Sequence, residues 1–124
     1  MRRVFSSTGQ PSFAAQVLME YGAKHDIEFT LSKDGSKFTP EYLAQFDAYF
    51  FLTSGDLSAP GKDGNPPISA AGKQAFLEAI KNGKGFIGSH AAADTYHLGE
   101  TPETNTSVAR TWRYRNVGDK QDPY

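Results

Sequence analysis

The run Ala48-Tyr49-Phe50-Phe51-Leu52 is unbroken in its apolar character. A strand with one wet face alternates, so a run like this needs cover on both faces. Parallel sheets flanked by helices provide that cover. Reading outward, Thr39-Pro40-Glu41 supplies a cap, a proline at the first helical position and an acid in the first turn, opening a short helix to about Phe46. Before it, Ile27-Glu28-Phe29-Thr30-Leu31-Ser32 alternates strictly and reads as a strand, with Asp34-Gly35 as a turn. Earlier still, Phe13, Val17 and Tyr21 are spaced by four with Ala14 and Leu18 beside them, which predicts one apolar helix face. Pro11-Ser12 marks the start of that helix and Gly22 its stop. Downstream, Ser69 caps a helix with Ala71, Ala75, Phe76, Ala79 and Ile80 on its apolar face, and Asn82-Gly83 ends it. Gly85-Phe86-Ile87-Gly88 follows as a short strand. Strands alternating with helices predict an α/β fold, a mostly parallel sheet with helices on both faces.

Composition narrows the function classes. The chain has 124 residues, with 13 Lys and Arg against 14 Asp and Glu, for a net charge of −1. Strong attraction to nucleic acid or to an anionic membrane is not expected at that balance. With no cysteine there is no disulfide framework, thiolate zinc site or cysteine nucleophile. No apolar window is long enough for a transmembrane helix, and no signal-peptide pattern follows Met1-Arg2-Arg3, so the default compartment is the cytoplasm. Residues 99–124 hold only Val108 and Val117 from the Leu, Ile, Val and Phe set. They read as a polar tail, in which Trp112 and Tyr114 lie among Arg110, Arg113 and Arg115, whereas residues 1–98 carry the α/β pattern.

Ligands of open α/β sheets bind at the carboxyl ends of the strands. One strand there delivers Thr53-Ser54-Gly55-Asp56, the other Ser89-His90 and then Ala91-Ala92-Ala93-Asp94-Thr95-Tyr96-His97. His90 is a candidate acid/base with Asp94 to orient it. Thr53, Gly55, Asp56, Ser89, Thr95 and His97 are candidate substrate-binding residues, and the small Ala91, Ala92 and Ala93 leave room for a pocket. Asp56 also fits a turn cap through Ser58. His90, Asp94 and His97 form a possible divalent-metal set, although the spacing is no established signature, and no cofactor is expected. Ser89 misses the nucleophile-elbow pattern, because Gly88 adjoins it and Ala91 replaces the second glycine. No dinucleotide or phosphate-loop glycine pattern is present. Residues 55–68, rich in glycine and proline, form a loop of functional length. Lys73, Lys81 and Lys84 read as a solvated face.

These residues resemble a known family. Phe38-Thr39-Pro40-Glu41-Tyr42-Leu43-Ala44-Gln45-Phe46-Asp47 is similar to its FT-x-E-x-L-x-x-(Y/F)-D stretch. The segment from Gly83 to Thr95 is similar to its G-x-G-F-(V/I)-G-x-H-x-A-x-D-T signature. The family is the trehalose-utilisation, ThuA-like domain of the class I glutamine-amidotransferase-like fold. The resemblance implies a flavodoxin-like three-layer sandwich and a role in carbohydrate use. It implies a small sugar or sugar derivative as partner, rather than nucleic acid or membrane. It also implies that His90 and Asp94 line the site, with Thr53 and Asp56 facing them. Amidotransferase chemistry is not implied, since that needs a cysteine. The alternatives are a non-catalytic carbohydrate-binding module and a metal-dependent hydrolase or isomerase.

The family's first strand and the loop after it carry the main departures. Only Arg3-Val4-Phe5-Ser6 can stand for that strand, and the family's loop histidine is missing. In the doubly wound order this strand lies between the second and third, so a weak one would leave Ile27–Ser32 without its neighbour. On this reading the chain is an incomplete copy of a longer domain, marginally stable and able to self-associate through an exposed sheet edge.

Overall fold

The computed structural model describes residues 1–7, 12–53, 56–60 and 63–89, with Ala92 and Thr95. Its elements in chain order are β1 (Arg2–Ser6), α1 (Phe13–His25), β2 (Ile27–Leu31), a 3-10 turn (Gly35–Lys37), α2 (Pro40–Leu43), β3 (Ala48–Phe51), α3 (Ala70–Lys81) and β4 (Gly85–Gly88). The four strands form one all-parallel sheet in the order β2-β1-β3-β4. The expected α/β architecture is present.

The first strand is a correction to the sequence reading. Arg2–Ser6 is neither weak nor missing. It lies centrally, with Val4 opposite Phe29 of β2 on one side and Ala48 of β3 on the other. Val4, Phe5 and Ser6 are buried, so β1 has the two-sided cover that a central parallel strand requires. Ile27–Leu31 therefore has its neighbour after all.

Register sorts the side chains into two layers. Phe5, Tyr49 and Phe86 are aligned across β1, β3 and β4, and they share a face with Phe51. There they meet Phe38, Leu43, Phe46, Ile68 and Phe76 in the main core. Phe76 of α3 stacks on Phe51 at 4.8 Å and meets Tyr49 edge-on at 5.5 Å. Such aromatic pairs add to what their buried area contributes. The Tyr49 hydroxyl donates to the Leu43 carbonyl at 3.0 Å, which satisfies its polar end within the core. Val4, Phe29, Ala48, Phe50 and Ile87 point to the opposite face.

Helix α1 packs on that opposite face, but not through the predicted stripe. Its buried residues are Ala15 and Gly22. Phe13 is 82% exposed, Val17 46% and Tyr21 51%, while Ala14 and Leu18 are half-buried. The physical reason is close approach. A side chain at Gly22 would run into the Ile27 carbonyl and come within 2.9 Å of the Phe29 ring. The small residues therefore face the sheet and the large ones turn outward. Nor does Gly22 stop the helix. The chain continues to His25 and leaves through Asp26, in the left-handed conformation (φ 57°), whose N–H bonds the Gly22 carbonyl.

Other boundaries follow the local chemistry. The Ser12, Thr39 and Ser69 side chains accept from backbone N–H groups three residues on and cap α1, α2 and α3. Gly83 ends α3 with φ 101°, as its C-terminal position predicts. On α3, Gly72 rather than Ala71 joins Phe76 in burial, because Gly72 sits against the Phe38 carbonyl. Helix α2 ends at Leu43, short of Phe46. The Lys84 ammonium donates to the Ala44 and Phe46 carbonyls, so Lys84 caps the end of that turn and does not belong to a solvated face. Lys73 is also half-buried, and its pKa is lowered by burial against the opposing charge of Asp56.

Candidate active site at the carboxyl edge

All four strands run the same way, so their carboxyl ends share one edge; Ser7, Ser32 and Ser89 directly follow β1, β2 and β4, and Thr53 follows β3 after Leu52. One further ladder bond holds each of three of these residues in place. Ser32 N–H bonds the Ser6 carbonyl at 2.9 Å, Ser7 N–H the Phe50 carbonyl at 3.0 Å, and Ser89 N–H the Phe51 carbonyl at 2.9 Å. A cavity of about 500 Å³ opens there. Its apolar floor includes Phe5, Phe38, Leu57 and Ile68, and Ser7, Ser32, Thr53 and Ser89 supply hydroxyls. An apolar floor with a few placed polar groups is the usual make-up of a small-molecule site.

The chain between β3 and α3 builds the outer wall. The Asp56 carboxylate accepts from the Ser58 N–H at 2.9 Å and from the Ser58 hydroxyl. Ile68 N–H bonds the Leu57 carbonyl at 2.8 Å, closing the loop on itself. Gly35 N–H bonds the Pro66 carbonyl at 2.9 Å and fastens the loop to the turn after β2. Asp63 accepts from Asn65 N–H at 3.2 Å and pairs with Lys33 at 3.4 Å. The Asn65 backbone N–H, then its side chain, and lastly Lys33 hold the Asp63 carboxyl below its ordinary value, against a smaller opposing effect of burial.

Of the residues predicted for the site, Thr53, Asp56 and Ser89 line the cavity. Asp56 has the turn-capping contact as well as the cavity position. Thr95 is fully buried, and its hydroxyl pairs with that of Thr53 at 2.6 Å. Two successive turns bring it there, Ala92 N–H to the Ser89 carbonyl and Thr95 N–H to the Ala92 carbonyl. Thr95 therefore holds Thr53 in place and is not itself among the lining residues. Ala92 does not leave space open, since it is buried in the main core. Gly55, His90, Ala91, Ala93, Asp94 and His97 lie outside the described residues, as do all of 96–124. Among the described residues no cluster of three His, Asp or Glu stands ready to hold a metal ion, and no helix is long and apolar enough to cross a membrane.

Sequence reading missed Ser7, Ser32, Lys33, Asp63 and Asn65. The signal for the first three was available. Each lies just past a strand, where a parallel sheet places its ligands, but Ser7 counts only once Arg2–Ser6 is recognised as a strand. Asp63 and Asn65 carry no such signal, because a loop's fold decides which of its residues turn inward.

No curated protein and no solved structure matches the chain. A family model does. The one described as ThuA, trehalose utilisation, matches residues 4–119. That span takes in the sheet from Val4 onward, the helices between its strands and the edge where the cavity opens, so the chain belongs to the ThuA family.

Proposed function

We propose that the cavity at the carboxyl edge binds a sugar derivative, and that His90 acts on it as acid/base with Asp94 orienting the imidazole or holding a sugar hydroxyl. As a member of the ThuA family, the chain has a role in carbohydrate utilisation. The finer reading is supported by one observation above all. Hydroxyls, two separate carboxylates and an ammonium surround an apolar floor in a cavity of about 500 Å³. Every sugar hydroxyl needs both a donor and an acceptor, while its C–H faces pack on apolar surface. Ser89, which lines the cavity, immediately precedes His90 in the chain.

The test is His90→Ala, assayed for turnover of an oxidised glucoside and, separately, for sugar binding by calorimetry. Turnover should be abolished while binding persists, since general acid–base catalysis typically contributes about 10²–10⁴-fold. Turnover that survives the change removes His90 as the catalyst. A wild-type chain that binds sugar without turning it over would instead make the domain a carbohydrate-binding module.

A further inference from the structure

The cavity mouth constrains the ligand beyond its being a sugar. Among the described residues, three charged side chains line the cavity, Lys33, Asp56 and Asp63. Asp56 is opposed by the nearby Lys73 ammonium, so Asp63 is the carboxylate that Lys33 faces. The Lys33 ammonium lies 3.4 Å from Asp63 Oδ2, and the two side chains are 53% and 44% exposed. An ion pair that open contributes little to stability. It does keep a strong donor and a strong acceptor side by side at the mouth. Asp63 Oδ1 is tied to the Asn65 N–H, and Lys33 follows Ser32, whose N–H is bonded to β1.

Two serine hydroxyls also line the cavity. Ser7 Oγ accepts from the Leu52 N–H at 2.8 Å, and Ser32 Oγ accepts from the Asp34 N–H at 3.1 Å. With the oxygens engaged as acceptors, each hydroxyl has its proton to donate. Adjacent hydroxyls of a sugar fit this arrangement, one accepting from Lys33 while its neighbour donates to Asp63. A phosphate or carboxylate does not fit it. To reach Lys33 it must come alongside Asp63, and like charges at contact are costly in a partly desolvated site.

We infer that the Lys33–Asp63 pair is a specificity determinant that grips adjacent hydroxyls of a neutral sugar and turns away phosphorylated or carboxylated ones. This rests on the sugar-binding reading above, and the experiment separates the two. The full chain would be titrated by calorimetry with glucose, trehalose, glucuronate and glucose 6-phosphate. The wild type should bind a neutral sugar at least about tenfold more tightly than either anionic one, the scale set by one hydrogen bond to a charged group. Asp63→Asn keeps an oxygen for the Asn65 N–H but removes the negative charge. It should weaken neutral-sugar binding about tenfold and bring in measurable binding of the anionic sugars. Lys33→Met should weaken neutral-sugar binding similarly and admit no anion. Damage to the fold would lower affinity for every ligand, so the gain of anion binding by Asp63→Asn is a readout that a structural role does not produce. A wild type that prefers the anionic sugars overturns the inference and leaves the sugar reading standing. So does unchanged neutral-sugar affinity in both variants. A wild type that binds none of the four overturns both.

Discussion

Tyr49 is the group whose burial leaves the clearest mark on how this protein responds to pH. Its side chain is fully buried, and burial pushes the phenol up from its ordinary 10.0 to about 12. The folded state thus favours the protonated phenol. Below pH 10 both folded and unfolded chains hold the proton, and the stabilisation is complete. As pH rises above 10 the unfolded chain releases its proton first, so stability falls by about 1.4 kcal/mol per pH unit until the folded value is reached. Tyr49→Phe should remove that alkaline dependence while costing about 1 kcal/mol near neutrality, because the Leu43 carbonyl loses its donor. Denaturant unfolding of both proteins from pH 8 to 12 reads this, and parallel alkaline losses in the two would assign the effect elsewhere. Asp56 and Lys84 show how far residue identity carries. For Asp56 the sequence offered a turn cap and a cavity position as alternatives, and the structure shows that it has both. Lys84 looked like one solvated lysine among three, yet its ammonium reaches two carbonyls about forty positions back along the chain. Spacing along one helix or strand cannot reveal a contact of that range.

The elements themselves were largely legible, because caps and periodicity are local. Ser69, Thr39 and Gly83 do what their residue types predict. Which face of an element is buried was less legible. On α1, large apolar residues at helical spacing were the obvious inward face, and the sheet instead selected Ala15 and Gly22 for close approach. The same rule of small residues at tight contacts governs Gly35, where the turn after β2 meets the cavity wall. A Cβ there would fall 2.5 Å from the Ile68 nitrogen and 2.6 Å from the Pro66 oxygen, both backbone atoms that cannot rotate away. Gly35→Ala should therefore destabilise the fold by about 1–3 kcal/mol through overpacking and displace the wall that carries Asp63. Denaturant unfolding measures the first effect, and weakened sugar binding under native conditions the second. A variant as stable as its parent would show that the loop can move aside at no cost.

Across the whole molecule, the two faces of the sheet are treated differently. One is closed by α2, α3 and the aromatic core. The other carries α1, with Phe13 and Val17 turned outward and Ile87 of β4 51% exposed. Phe13→Ser combined with Val17→Ser should accordingly leave the unfolding free energy within about 0.5 kcal/mol of the parent, as is usual for exposed positions. A loss of several kcal/mol on denaturant titration would mean that this stripe is buried in solution. The alternating order of strands and helices, the parallel sheet and the polar residues at the ends of β3 and β4 can be read from the chain, because they depend on local patterning and on the handedness of crossover connections. The strength of β1, the inward face of α1 and the arrival of Ser7, Ser32, Lys33 and Asp63 at one cavity cannot. Each depends on contacts between segments far apart in sequence, and a short strand or an ordinary serine acquires its role only when its distant neighbours cover it.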